Sequence, residues 1–334
     1  GISVKAFNVG AKVAFDEVNR RGGVNGRAVR VVTLDDELKP DKAVANYKAL
    51  LAEHKVFAFF GGVGTGPIGA ATPILREANA PMVGNYAVGE VVREKARNVA
   101  YFVRASYGRE ADRLVGLLDT IGQTRIAVAH LANPGGQEVL GLVKAAIKAR
   151  DPARDVVASG PVGNDGSGAV EAAKAIAAAQ PHAVIMFLSG PPVAELMKTV
   201  WAGGAAPTFY GMSTVAGEVV AKVLAGQLRG LSIAQVVPYP WSESDAVTRE
   251  YRAQCATAKV DANYYTYEGW LNAQVMIEGL RRAGREPTRE SLHAAMRGLK
   301  GRWGSMDVDY TAGSATGSRL VDLVHVRADG TFIR

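Results

Sequence analysis

The stretch that most constrains the fold of this chain is residues 10–36, which predicts a helix, a tight turn and a strand in succession. Cations at Arg20 and Arg21, followed by Gly22 and Gly23, are typical of a helix C-terminus. Residues 29–34 are largely apolar and predict a strand that leads to two aspartates. The helix itself is predicted from apolar residues at helical spacing, namely Val9, Val13, Ala14, Phe15 and Val18.

Helix, turn and strand form half of a βαβ unit, so a parallel strand is expected before the helix. Too few residues precede Val4 to supply that strand. We therefore expect that the chain begins late or that its first strand is not covered by this numbering.

Short apolar runs and helical patterns then alternate along the chain, as in open α/β sheets. The run at residues 56–60 predicts a strand buried on both faces, followed by a glycine-rich turn and a helix over 68–78. Asp329 and Gly330 predict the turn of a C-terminal hairpin. Further predicted strands are 81–83, 101–103, 125–129, 156–159, 183–188, 208–210 and 233–237. Further predicted helices are 40–54, 169–179, 193–202, 245–259 and 265–282, with two more around the apolar residues of 114–118 and 139–147.

Several segments of this sequence resemble the solute-binding proteins of ABC importers, in the branched-chain amino-acid (Leu/Ile/Val-binding) group. They are EVNRRGGVNGRAVRVVTLDD, PHAVIMFLSGPPVAELMKTVWAGG, YTYEGWLNAQVMIEGLRRAG and VHVRADGTFIR. The resemblance implies an α/β protein of the type I periplasmic binding fold, in which two Rossmann-like lobes with parallel sheets are joined by a three-crossing hinge. The implied lobes are residues 1–104 with 238–320, and 105–237 with 321–334. Such lobes close on a ligand like a Venus flytrap.

Composition supports two domains and narrows the function. A chain of 334 residues exceeds one ordinary core, and 48% apolar with 21% charged residues is typical of a globular protein. The single Cys255 excludes an internal disulfide and a cysteine-based metal cluster. A net charge of +7 comes from basic residues scattered along helices, so no nucleic-acid partner is expected. No cofactor and no metal are expected either.

The resemblance, and not the composition, implies a periplasmic monomer whose partners are a small ligand and an ABC transporter permease. The sequence contains no signal peptide and no apolar run long enough to span a membrane. If the protein is secreted, the signal peptide has been removed.

The first candidate site loop is GGVGTG, residues 61–66. It could be read as a phosphate cradle, although it lacks the GKS or GKT ending of a P-loop. The resemblance instead implies that Gly64 and Thr65 bind a ligand carboxylate at a helix N-terminus. A tight turn without a ligand is the third interpretation.

The second candidate loop is GNYAV, with Asn85, Tyr86, Ala87 and Val88 as predicted contacts. The resemblance implies a small residue where Tyr86 stands and a threonine where Val88 stands. This departure replaces polar groups with aromatic and aliphatic surface, and it puts an ordinary α-amino-acid ligand in doubt.

Lobe two departs from the resemblance as well, because residues 211–214 offer Gly-Met-Ser-Thr where leucine-type binders have a glutamate for the ligand ammonium. No carboxylate is expected at these loops, and a buried ammonium without a countercharge is costly. We infer a ligand that carries a carboxylate and an apolar or aromatic part, and that need not carry an ammonium. The remaining predicted contacts are Arg104, Tyr107, His130, Ser189, Met212 and Ser213.

Structural roles compete with ligand binding at two of these residues. Arg104 at the first crossing could form a structural ion pair, and His130 could be a hydrogen-bonded core histidine.

No GxSxG elbow, HExxH helix or CxxC pair occurs, so an enzyme is not expected. Asp35 and Asp36 favour turn roles over an acid pair. The leading hypothesis is a periplasmic solute-binding protein of an ABC importer. The others are a ligand-sensing module of the same fold that serves a regulator or receptor, and a Rossmann-like enzyme that uses GGVGTG.

Overall fold

The computed structural model describes residues 2–334 of the chain. Its helices are α1 Ile2–Arg20, α2 Pro40–Ala52, α3 Thr65–Glu77, α4 Glu90–Lys95, α5 Tyr107–Thr120, α6 Pro134–Arg150, α7 Ala169–Ala178, α8 Pro192–Ala202, α9 Gly217–Leu224, α10 Ala246–Ala258, α11 Tyr264–Ala283 and α12 Arg289–Arg297. Its strands are β1 Phe59–Val63, β2 Met82–Tyr86, β3 Ala100–Tyr101, β4 Ile126–Leu131, β5 Ala158–Val162, β6 Ala183–Phe187, β7 Thr208–Gly211, β8 Leu231–Gln235, β9 Lys300–Trp303, β10 Met306–Asp309, β11 Asp322–Val326 and β12 Phe332–Ile333.

The chain divides into two compact units, each built from two separate stretches of sequence. Unit 1 is Gly1–Ser106 with Val236–Leu320, and unit 2 is Tyr107–Gln235 with Val321–Arg334. The chain therefore passes between the units three times, after residues 106, 235 and 320.

Unit 1 contains a parallel sheet in the order β1-β2-β3 and a separate antiparallel hairpin of β9 and β10. Helices α1 and α11 cross so closely that a β carbon at Gly10 would lie 1.8 Å from the Thr266 carbonyl oxygen. Glycine at the crossing lets the two backbones touch. Phe7 on α1 is thereby held against the Tyr86 ring at the end of β2, with ring centroids 5.8 Å apart.

Unit 2 contains one sheet in the order β12-β11-β8-β7-β6-β4-β5. Strands β4 to β8 are parallel to one another, and the C-terminal hairpin of β11 and β12 adds to β8 in the antiparallel sense. β4 and β6 are buried along almost their whole length, as short apolar runs predict. The predicted hairpin is confirmed, with Gly330 at φ 84° in its turn.

The strand predicted at residues 29–34 is wrong. The segment has no ladder partner, since none of the strands in residues 2–334 pairs with it, and a strand is stabilised by a hydrogen-bonded neighbour. The Asn19 side chain holds its start by bonds of 2.7 and 2.8 Å to the backbone of Val29. Val31 is 53% exposed as a result.

The next strand and helix begin three residues from where the sequence places them. β1 runs through Gly61 and Gly62 because Phe59 and Val63 pair with the two ends of β2. It is also not buried on both faces, because Phe59 alone is buried and the other four residues are partly exposed. α3 accordingly starts at Thr65, with Gly64 as its N-cap residue.

Four elements were not predicted from the sequence: the short helices α4 and α9, helix α12, and the hairpin of β9 and β10. α12 does carry a local signal, a capping box in which Thr288 and Ser291 exchange side-chain-to-backbone hydrogen bonds. The aspartates after residue 34 have turn roles: Asp35 and Asp36 accept the backbone N–H of Glu37 and Leu38, each at 2.8 Å.

Candidate functional site

The two candidate loops of unit 1 meet through two hydrogen bonds. The Gly64 N–H donates to the Tyr86 carbonyl oxygen at 3.0 Å, and the Gly89 N–H donates to the Thr65 hydroxyl at 3.0 Å. The end of β2 is therefore fastened to the N-terminus of α3. Three of the six residues predicted here, namely Gly64, Thr65 and Tyr86, take part in these two bonds. The other three, Asn85, Ala87 and Val88, adjoin them in the chain.

The glycines of the GGVGTG run have local structural reasons that involve no phosphate. Gly64 has φ 85°, which side chains rarely adopt. A β carbon at Gly62 would lie 2.4 Å from Ile68 Cδ1 and 2.9 Å from the Tyr47 hydroxyl. The glycine content of this run thus follows from backbone conformation and packing.

Tyr86 lies among buried charged groups. The Arg104 guanidinium carbon is 5.2 Å from the centroid of the Tyr86 ring, within cation–π range. Arg104 Nη1 also forms an ion pair with Glu268 Oε1 at 3.2 Å, and both side chains are almost fully buried. The structural pairing considered for Arg104 is therefore present, and its contact with a ligand stays a prediction.

Asn85 stands out in unit 1 because its side chain is buried and has no hydrogen-bond partner in residues 2–334. The residue is 1% exposed, and neither its amide oxygen nor its amide nitrogen is bonded there. A buried amide without partners is costly, so such groups are usually satisfied by water or a ligand. Its neighbour Ala87 has the left-handed φ of 58°, which bends the chain after the strand.

Arg93 of α4 supports this region, although no sequence pattern predicted a role for this residue. The residue is only 2% exposed, and its Nε donates to the carbonyl oxygen of Val88 at 2.9 Å. The remaining guanidinium bonds lead to Arg104, Ala105 and Thr316.

In unit 2, the predicted residues gather at one edge of the sheet. β4, β6 and β7 are neighbours and run parallel, so their carboxyl ends meet. His130 is the last residue but one of β4, Ser189 follows β6, and Met212 and Ser213 follow β7. The order reverses between β4 and β6, and such switch points are where open α/β sheets bind ligands.

Tyr107 begins α5 and packs edge-on against Phe187, with ring centroids 4.8 Å apart. His130 is 1% exposed and its Nδ1 lies 3.0 Å from the Leu131 carbonyl oxygen. This contact matches the core role considered for the histidine, while ligand binding by either residue stays a prediction.

The expectation that no carboxylate reaches the loop after β7 is wrong. Glu110 on α5 is fully buried, and its two oxygens accept the Ser213 N–H at 2.8 Å and the Ser213 hydroxyl at 2.9 Å. The residue lies far from the loop in sequence, and only its place in the apolar stripe of α5 hints at burial. The argument against an ammonium-bearing ligand thus loses its basis.

The described part of the chain holds no group of three or more His, Cys, Asp or Glu side chains that could bind a metal. Among the helices of residues 2–334, none combines the length and the apolar character that crossing a membrane requires. The groups gathered at the candidate loops of unit 1 and at the strand ends of unit 2 are hydroxyls, amides, aromatic rings and paired charges. Such groups suit noncovalent recognition of a small polar molecule.

Two α/β units in which the chain crosses three times, each with polar residues at strand ends, define the class of two-lobed ligand-binding proteins. Residues 1–331 match the sequence profile of the periplasmic binding protein family, and the chain belongs to that family. The fold is the type I periplasmic binding fold.

Solved structures agree with this assignment. A substrate-binding periplasmic protein from Ralstonia solanacearum is 30% identical with a TM-score of 0.91, covering 99% of this chain and 95% of that chain. A branched-chain amino-acid ABC transporter protein from Thermus thermophilus with bound valine is 17% identical with a TM-score of 0.86, covering 98% and 90%. A fatty acid ABC transporter substrate-binding protein from Thermomonospora curvata is 18% identical with a TM-score of 0.84, covering 98% and 86%. No curated protein matches the chain.

Proposed function

We propose that this protein is a periplasmic solute-binding protein that captures a small amino-acid-like or carboxylate ligand and delivers it to the permease of an ABC importer. The twelve residues predicted from the sequence supply the ligand contacts, one set in each unit, and the protein acts as a monomer. Binding works by population shift, since the ligand stabilises the conformation to which it binds best.

The observation that carries this proposal is the meeting of separate chain segments at each set of residues. In unit 1 the β2 end is bonded to the start of α3 at Gly64 and Thr65. In unit 2 the ends of three adjacent parallel strands share one edge. Strand ends of open α/β sheets are where such sheets bind ligands, which supports the assignment of ligand contacts to each set.

Two features bear on the class of ligand. Asn85 offers a buried donor and a buried acceptor without partners in the described chain, which suits a polar ligand group. Glu110 places a buried carboxylate at Ser213. A ligand ammonium is therefore compatible with unit 2, and the names of the similar proteins, one with valine and one a fatty acid transporter, bracket the range of carboxylates to test.

The test is a thermal-shift screen with matched pairs of ligands, after native mass spectrometry of the protein as purified. Each pair differs only in the ammonium: L-leucine with 4-methylpentanoate, L-valine with 3-methylbutanoate, and L-phenylalanine with 3-phenylpropanoate. A ligand at 100 times its Kd stabilises the folded state by about 2.7 kcal/mol, which a melting curve resolves.

We expect at least one pair to raise the melting temperature. A shift with only the amino acids would assign an ammonium to the ligand, and a shift with only the deaminated acids would exclude it. If no carboxylate raises the melting temperature of the protein, the proposed ligand class is wrong.

A further inference from the structure

Arg93 is a buried arginine that joins parts of unit 1 that are distant in sequence. Its Nε donates to Val88 O at 2.9 Å, and its Nη1 donates to Arg104 O and to Thr316 Oγ1, both at 3.0 Å. Its Nη2 donates to Ala105 O at 3.3 Å. One guanidinium therefore holds three carbonyl oxygens and one hydroxyl.

These four acceptors lie on three segments that are separate in the chain. Val88 belongs to the candidate ligand loop, residues 86–89. Arg104 and Ala105 directly precede Ser106, the last residue of the stretch of unit 1 that leads into unit 2. Thr316 lies in the later segment that leads from unit 1 into unit 2 after Leu320.

The two connecting segments are themselves paired. The Gly317 N–H donates to the Phe102 carbonyl oxygen at 2.8 Å, and the Ser318 N–H donates to the Val103 carbonyl oxygen at 2.9 Å. The Arg93 guanidinium also lies 5.0 Å from the centroid of the Phe102 ring. Arg93 therefore contacts this pair of segments by hydrogen bonds and by a cation–π contact.

A guanidinium is suited to this position for a geometric reason. Its N–H groups diverge in a rigid planar fork, whereas the three N–H groups of a lysine ammonium share one nitrogen. A lysine would retain the charge but could not reach acceptors on all three segments. Substitution of Arg93 by lysine therefore keeps the positive charge and removes the fork of N–H groups.

We propose that Arg93 is a positioning residue that fixes the ligand loop 86–89 against the two segments leading into unit 2, so that ligand affinity depends on it. The part about affinity rests on the proposed function, and the part about positioning does not. A displacement of the loop is transmitted through Arg93 to the connecting segments, and the reverse holds by reciprocity.

The first experiment is amide hydrogen exchange on the ligand-free protein, comparing wild type, Arg93→Lys and a matched control, Arg97→Lys. Arg97 lies just beyond the same helix, is partly exposed and pairs with Glu94. It also donates to the Gly313 carbonyl oxygen of the later segment, but not to any of the acceptors that Arg93 holds. In Arg93→Lys we expect exchange to become about tenfold faster in two places together. One place is the loop, reported by the Gly89 N–H and by the Gly64 N–H, which donates to Tyr86 O. The other is the paired segments, reported by the N–H groups of Gly317 and Ser318.

Exchange in the buried strand β6 of unit 2 should not change, and Arg97→Lys should match wild type. The proposal is overturned if Arg93→Lys behaves as wild type, if only one of the two places responds, or if exchange rises uniformly through unit 1. Should Arg93→Lys fail to fold, Arg93→Gln tests the same two places, because a neutral planar amide carries no buried charge.

The second experiment measures affinity by titration calorimetry with L-leucine as the probe. We expect about tenfold weaker binding in Arg93→Lys and unchanged binding in Arg97→Lys. Unchanged binding in Arg93→Lys would overturn the dependence of affinity on Arg93. A wild type that does not bind L-leucine would count against an amino-acid ligand, and the exchange result would then decide the role of Arg93 alone.

Discussion

The two sets of candidate residues are held in place by different means. In unit 1, long polar side chains from other segments fix the loop, including Thr65 and Arg93, and a buried ion pair lies beside it. In unit 2, the sheet itself places the strand ends, and the side-chain bonds identified at the loop after β7 include those to Glu110 and Leu188. A site built by individual side chains is the more sensitive to single substitutions, because the backbone bonds of a sheet are not removed when a side chain is changed.

The largest expected effect tests the side-chain construction of unit 1. Arg104→Met removes one partner of a buried pair and leaves the Glu268 carboxylate in a region of low polarity. Breaking a buried pair from one side costs roughly 3–5 kcal/mol. Urea unfolding followed by tryptophan fluorescence should show this loss, since three of the four tryptophans lie in unit 1.

Arg281→Met is the matched control, because Arg281 pairs with Glu278 at an exposed position. We expect its unfolding midpoint to stay at the wild-type value. Both arginines lie in unit 1, so equal midpoints for Arg104→Met and Arg281→Met would show that unit 1 does not depend on its buried ion pair.

The next effect tests the one buried carboxylate seen at the unit 2 loop. Glu110→Gln keeps the shape of the side chain but offers Ser213 only one acceptor oxygen in place of two. Leaving one buried donor of Ser213 unsatisfied costs about 1–3 kcal/mol. The loss should appear in the melting temperature and in the fluorescence of Trp201, the tryptophan of unit 2.

The control is Glu171→Gln, which makes the same chemical change in the first turn of α7 at an exposed position. It should melt as wild type does. If Glu110→Gln also melts as wild type, the carboxylate does not fix this loop and the strand ends alone place Ser213.

A third substitution compares glycines in the two units. Gly62→Ala would place a β carbon 2.4 Å from Ile68 Cδ1 and so push α3 away from β1, which costs about 1–3 kcal/mol. Gly141 lies within α6 of unit 2 with nothing within 4 Å of a β carbon. Gly141→Ala should stabilise the protein by about 1 kcal/mol or less.

Thermal melts of the two variants should therefore shift in opposite directions. A Gly62→Ala protein as stable as wild type would mean that α3 adjusts freely, and the glycine run would then need another explanation.

The same contrast explains what could be predicted from the sequence. In unit 2, strands such as β6 and β7 were predicted to within one residue, because short apolar runs in the middle of a sheet have little choice of structure. In unit 1, the apolar pattern of residues 29–34 predicted a strand that does not form, since a pattern does not report whether a neighbour is present to pair with.

The candidate site divides along the same line. Gly64, Thr65 and Ser213 follow predicted strands, and strand ends can be read locally. Glu110 is separated from Ser213 by 103 positions and Arg93 from Thr316 by 223, and no local pattern links residues so far apart. Glu110 was therefore missed because it lies far from Ser213 in the sequence, and its presence removes the argument that no carboxylate lies at this loop.

The smallest expected effect concerns pH and a histidine of unit 1. His293 is buried, with Nδ1 2.8 Å from the Tyr101 hydroxyl and Nε2 3.3 Å from the Asn79 carbonyl oxygen. Burial lowers the pKa of His293 below its ordinary value of 6.5. The unfolded chain therefore binds the proton more readily than the folded chain does.

Its contribution to stability is accordingly complete above about pH 6.5 and is lost as the pH falls from there through the folded pKa. The slope is at most about 1.4 kcal/mol per pH unit, the limit for a single proton. Urea midpoints of wild type and His293→Gln should differ in their change between about pH 7.5 and about pH 5.5, with the larger loss in wild type. Parallel pH curves for the two proteins would show that the pKa of His293 is the same in the folded and unfolded states, which would contradict the lowering of its pKa by burial.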